Sequence, residues 1–245
     1  MELLTMTFHT AAEQVYYDLF FLNWHTSIKK FWPDARFSLR FVGPKNEAVD
    51  KYCSEHDILL THDPITLKEI SAKFTKEELP ERPKACYGYY ALSRWMSMPA
   101  DDDVGLTDVD LVALKKPNLA SINHILSKYQ QYRITGAFAT KEKPRNMMIN
   151  FFRKDVVSEV NQVATDLLLK SKLMWNLDLR VRDYCNKNFS ILDEKLLTHF
   201  NGAAVPKKYL FGYCNGSRFV DKGVTYKDTK AKAAKYKRFF DLNKL

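Results

Sequence analysis

Two carboxylates one residue apart, Asp108 and Asp110, are the side chains in this sequence best spaced to do chemistry together. The run before them, residues 104–107, is apolar and reads as a strand, so both acids fall where that strand leaves a sheet. Alternate residues of an extended segment point the same way, which lets Asp108 and Asp110 face one site. In open α/β sheets, ligands collect outside the carboxyl ends of the strands. Two hard carboxylate oxygens there suit Mg²⁺ or Mn²⁺, with diphosphate oxygens filling further positions. D-x-D is also frequent in solvated loops, so the tripeptide alone leaves both readings open. The neighbouring acids Asp101, Asp102 and Asp103 precede the strand and read as an exposed turn.

The elements needed to position such a pair are legible on both sides. Residues 3–8 read as a buried strand. Residues 11–31 carry Val15, Leu19, Leu22 and Ile28 on roughly helical spacing, and Pro33 closes that region. Residues 37–42 alternate until Gly43 and Pro44 force a turn; a helix over 46–54 and a strand over 57–61 follow. Two strand–helix–strand units in succession predict a parallel sheet with covering helices. A helix is expected over 87–98, stopping before Pro99, and Pro117 opens another. Strands are expected over 134–139 and 147–152, an amphipathic helix over 156–172 and a further helix over 178–186. Beyond Asn201 the pattern reads as loop and then a basic terminal helix.

The 245 residues, 46% hydrophobic and 27% charged, suffice for one globular α/β domain with a real core. No run of about 18 apolar residues occurs, so no membrane-spanning helix is expected. Residues 1–10 lack the basic start and long apolar core of a secretory signal. Cys53, Cys86, Cys185 and Cys214 are far apart, as expected of reduced thiols in a cytoplasmic protein. The formal charge is +9, and Lys222, Lys227, Lys230, Lys232, Lys235, Lys237 and Arg238 concentrate part of it near the C-terminus. Such an excess draws anions, although a solvated helix face accounts for it equally simply. No P-loop, dinucleotide-binding G-x-G-x-x-G or G-x-S-x-G serine-hydrolase signature is present. The aromatic residues Tyr16, Tyr17, Phe20, Phe21, Trp24, Phe31 and Trp32 read mainly as core.

The stretch from Tyr90 to Pro99, containing Arg94, and the stretch from Val104 to Pro117, containing Asp108 and Asp110, resemble the centre of GT-A-fold glycosyltransferases. The similarity is greatest to the glycogenin and lipopolysaccharide galactosyltransferase group. A second match lies at residues 198–207, similar to that group's late H-x-x-G-x-x-K-P-W signature, with His199, Gly202 and Pro206 in register. Val205 stands where the signature has lysine, and Lys207 where it has tryptophan. The resemblance, which spans roughly residues 3–208, implies a single GT-A-like, Rossmann-type nucleotide-sugar-binding domain with a mixed, mostly parallel central sheet.

It further implies a Mn²⁺ or Mg²⁺ ion held by Asp108, Asp110 and His199, with a UDP-sugar as donor. Arg94, Gly202 and Lys207 are expected near the donor phosphates, and Thr7 and His9, near the end of the first strand, near the base and ribose. Asp178 matches the first acid of a D-Q-D motif around the transferred sugar, while Arg180 replaces the second. Residues 146–154 resemble the apolar strand and asparagine patch lining the sugar site. The expected organisation is a catalytic domain over 1–220, with a basic tail or helix over 221–245 packed on it.

The expected activity is metal-dependent, retaining sugar transfer to a saccharide or other hydroxyl acceptor, a modified DNA base being the narrower version suggested by the basic charge. A nucleotidyltransferase using the same carboxylates, and a non-catalytic nucleic-acid-binding protein, are the competing readings.

Overall fold

A computed structural model of the chain describes residues 6–72, 82–115, 119–136, 149–171, 177–200, 210–214, 217–221 and 224–243. Its centre is a mixed, mostly parallel nine-stranded sheet. β1 (Met6–Glu13) pairs in parallel with β2 (Arg36–Val42), and β2 with β3 (Ile58–Asp63). On the other side of β1 lies β4 (Asp103–Thr107), also parallel, followed by antiparallel β7 (Ile149–Phe152) and β6 (Gln131–Gly136). β8 (Ile191–Phe200) runs parallel to β6, and β9 (Phe211–Cys214) parallel to β8. The short β5 (Leu111–Ala113) closes the edge, antiparallel to β9. The strand order is β3-β2-β1-β4-β7-β6-β8-β9-β5, and β10 (Ser217–Asp221) and β11 (Val224–Asp228) form a separate hairpin.

The two strand–helix–strand units give the expected parallel half. The first crossover comprises α1 (Gln14–Tyr16), a π-helical turn (Tyr17–Phe21) and α2 (Leu22–Phe31). It begins where Glu13 accepts hydrogen bonds from the amides of Val15 and Tyr16. The second is α3 (Glu47–Glu55), capped by Asn46, whose Oδ1 accepts from the Ala48 amide at 2.9 Å. α4 (Leu67–Ala72), α5 (Arg82–Ser93), α6 (Leu119–Lys128), α7 (Lys154–Lys170), α8 (Asp178–Asn188) and α9 (Thr229–Asn243) complete the described helices.

Several expectations need correction. α5 ends at Ser93 instead of running to residue 98, because the chain tightens through Trp95 N–H to Leu92 C=O and then reverses at Ser97, whose φ is 60°. The region after residue 201, read as loop before a terminal helix, contains β9, β10 and β11. β8 was not anticipated: its sequence mixes acids and a lysine among apolar residues, without clean alternation. Asp103 is no exposed turn residue. It starts β4, is 7% exposed, and its Oδ1 accepts from the Lys154 amide at 2.9 Å. Asp102 accepts from Thr7 and pairs with Arg36.

Alternation along β4 divides the core. Val104 and Leu106 join a cluster with Leu92, Trp95, Val157 and Val181, from beneath α5, α7 and α8. Gly105 faces the other way, where the rings of Phe8 and Phe151 press so close that a Cβ would stand 3.0 Å from Phe8 Cε1 and 3.2 Å from Phe151 Cε1. That second side is aromatic: Phe8, Phe20, Phe21, Trp24, Trp32 and Phe211 are all buried in one cluster, so the aromatic first helix region is core. Each such ring contributes roughly 1.5–3 kcal/mol by leaving water. No described helix is long and apolar enough to cross a membrane. Cys53 and Cys185 are buried free thiols; Cys86 and Cys214 have no described side chain.

Candidate functional site

Asp108 and Asp110 occupy the turn that links β4 to β5, closed by the Leu111 amide donating to the Asp108 carbonyl at 3.2 Å. Val109 between them is 4% exposed and packs into the aromatic core, while both acids keep some exposure. The turn is anchored from two directions through Thr107. Thr10 Oγ1 donates to the Thr107 carbonyl at 2.9 Å, and the buried Trp24 indole donates to Thr107 Oγ1 at 2.7 Å. These bonds fix the carboxyl end of β4 against β1 and α2, which sets where the acids project.

Arg94 reaches this turn from the end of α5. Its guanidinium pairs with Asp108 and, at 3.0 Å, with Asp178 Oδ2 at the start of α8. Arg94 and Asp178 are 10% and 7% exposed in their side chains, so the contact is a buried one. Burial pushes the Arg94 pKa down from its ordinary value, and Asp178 pulls it back. The turn carrying Arg94 is itself braced. Arg40 donates to Ser97 Oγ and to Asp63 Oδ2, each at 2.6 Å, and Tyr89 donates to the same Asp63 oxygen at 2.7 Å. Three residues picked from the sequence as site candidates, Arg94, Asp108 and Asp178, therefore meet in one buried network.

Asp110 is claimed by a residue that sequence reasoning did not single out. Lys232 of α9 pairs with its carboxylate, and the Tyr236 hydroxyl, one helical turn on, donates to the Asp110 carbonyl. Lys232 is 7% exposed and its ammonium lies 5.6 Å from the centre of the Phe20 ring; Tyr236 packs edge-on against the same ring at 5.3 Å. Burial pushes the Lys232 pKa down to about 7. The solvated-face reading of the basic tail thus fails at Lys232. A tyrosine four residues after a lysine, beside Ala233, was the available signal for a helix face turned inward.

His199 lies on β8, where only the backbone is described. Register across adjacent strands pairs His199 with Tyr213 of β9, and Tyr213 with Leu111 of β5. At the usual strand spacing this sets the His199 backbone about 10 Å from Leu111, the residue after Asp110. Gly202 and Lys207 lie outside the described residues. Thr7 and His9 are inside the sheet: Thr7 donates to Asp102 at 2.8 Å, and the His9 ring, 0% exposed, is bonded through Nδ1 to Ser38 Oγ at 3.0 Å. Burial, with the nearby Arg40 guanidinium, lowers the His9 pKa to about 3.

Three carboxylates, Asp108, Asp110 and Asp178, stand against Arg94 and Lys232, leaving a net negative charge at the mouth of the strand. A diphosphate is repelled by that balance, and a divalent cation on the hard carboxylate oxygens of Asp108 and Asp110 would reverse it. Among the described residues no three histidine, cysteine, aspartate or glutamate side chains form a group able to hold a metal, and the His199 side chain is outside that description.

No protein-family model and no curated protein matches the chain. It is similar to the solved structure of the glycosyltransferase GlyE in Streptococcus pneumoniae TIGR4, at 14% identity over 78% of this chain and 44% of that one, with a TM-score of 0.47. It is also similar to a "putative nucleotide-diphospho-sugar transferase" from Desulfovibrio desulfuricans G20, at 10% identity over 78% of this chain and 79% of that one, with a TM-score of 0.39. The chain spans less than half the length of the first. At this distance the likeness is one of chain path, and the chemistry is read from Asp108, Asp110, Arg94 and Lys232 themselves.

Proposed function

We propose that the chain is a glycosyltransferase that takes a nucleotide-sugar diphosphate, UDP-linked, at the carboxyl end of β4 and moves its sugar to an acceptor hydroxyl. The observation that carries this reading is the convergence of Arg94, Asp108 and Asp178 from three separate elements onto the turn containing Asp110. In this reading Asp108 and Asp110, with His199 from the neighbouring strands, hold Mn²⁺ or Mg²⁺. A divalent cation bound there supplies Lewis-acid stabilisation of charge on the leaving diphosphate.

The chain's own residues do the rest. Arg94 fixes the directions of Asp108 and Asp178 at once and brings a positive charge to the phosphate side of the site. Asp178, held by that guanidinium, is assigned to the hydroxyls of the transferred sugar. Gly202 and Lys207 follow His199 in sequence and are assigned to the phosphates. The acceptor is a saccharide or another hydroxyl compound.

The test is donor turnover. Wild-type chain is incubated with a panel of nucleotide sugars and Mn²⁺, and release of nucleoside diphosphate is followed. A UDP-sugar should be consumed and Asp110→Ala protein should be slower by about a hundredfold or more, the usual effect of losing an electrostatic contact to a leaving group. Equal rates in the two proteins would overturn the proposal, and pyrophosphate release from a nucleoside triphosphate would point to a nucleotidyltransferase instead.

A further inference from the structure

The side chain seated on Asp110 belongs to the basic C-terminal helix, and its surroundings are those of a built contact. Lys232 is 7% exposed, its ammonium lies 5.6 Å from the centre of the Phe20 ring, and Tyr236 holds the backbone of the same aspartate. A carboxylate at the mouth of a strand needs a counter-charge when it loses solvent, and Lys232 provides it. A divalent cation and an ammonium on one carboxylate repel each other strongly at such distances.

We infer that Lys232 is an internal cation occupying the Asp110 position of the donor site, and that a divalent cation binding there displaces it, so that α9 reports and opposes metal loading. The inference rests on the donor-site reading above and deepens it. It assigns to the C-terminal helix a role in setting cation affinity. Displacement breaks the Lys232 contact to the carboxylate and leaves the ammonium free to face an anion arriving with the metal, such as the donor diphosphate. Tyr236, bonded to the backbone carbonyl of Asp110, keeps the helix near the turn.

The experiment measures Mn²⁺ binding and needs no turnover. Full-length wild-type chain, Lys232→Met, Lys232→Arg and Asp110→Asn proteins are titrated with Mn²⁺ alone and the free ion is followed by electron paramagnetic resonance. Lys232→Met should bind Mn²⁺ about tenfold more tightly than wild type, within the roughly 5–150-fold range usual for coupling between two bound groups. Lys232→Arg, which keeps the charge, should stay near wild type, and Asp110→Asn should lose the site. If Asp110→Asn loses binding while Lys232→Met binds no more tightly than wild type, the displacement is wrong and the donor site stands. If Asp110→Asn binds as wild type does, or none of the proteins binds Mn²⁺, the donor-site reading fails and the displacement with it. Hydrogen exchange on wild type gives a second readout without a variant: Mn²⁺ should raise exchange over residues 229–243, and unchanged protection there would also overturn the inference.

Discussion

Arg94 joins Asp108, in the turn after β4, to Asp178, the first residue of α8 and 84 positions after Arg94 in sequence. One guanidinium thus serves two carboxylates that would otherwise repel each other in a poorly solvated place. The planar fork of arginine suits this task in a way a single ammonium does not.

Removing the fork should be costly. Arg94→Met leaves both acids without their shared partner and should destabilise the fold by about 3–5 kcal/mol, as for other broken buried pairs. Urea denaturation checks this, and a loss below about 1 kcal/mol would class the contact with weak surface pairs.

Gly105 sits three residues before the first site aspartate, with Phe8 and Phe151 against its α-carbon. Neither ring has room to retreat, since both are 0% exposed. Gly105→Ala should therefore destabilise by about 1–3 kcal/mol through overpacking. A thermal melt with an unchanged midpoint would contradict the close approach.

His9 makes stability depend on pH. Its pKa is about 3 in the folded chain, below the ordinary 6.5. Between those values the unfolded chain binds a proton that the folded chain does not, so this contribution is fully present above 6.5 and is lost as pH falls. The expected loss from His9 alone between about pH 8 and about pH 5 is roughly 2 kcal/mol. His25, lowered to about 4 mainly by burial, acts in the same direction. Denaturation at the two pH values tests this, and His9→Gln should flatten the slope. A slope unchanged by that substitution would remove His9 as its source.

Much of the architecture was legible because its signals are local. Alternation over residues 37–42, the turn at Gly43 and Pro44 and the apolar run into Asp108 each fix an element without reference to the rest of the chain. The meeting of Arg94 with Asp178 is different, since it depends on where α5 and α8 pack, although each is a candidate in sequence because it stands beside a recognisable motif. β8 and β9 were missed because their residues follow no clean period. Lys232 was missed for a related reason: lysines at 230, 235 and 237 surround it and look alike in sequence, whereas packing selects the one that shares a face with Tyr236. Burial of a single member of a charged run is decided by tertiary contact, which composition does not record.

The most direct measurement of the central claim is calorimetric titration of UDP into the full chain in the presence of Mn²⁺, repeated with excess chelator and with Asp110→Asn protein. If the turn after β4 holds a cation-bound diphosphate, UDP should bind with Mn²⁺ and weaken by about tenfold or more under either change. Equal affinity in all three titrations, or no binding in any, would contradict it.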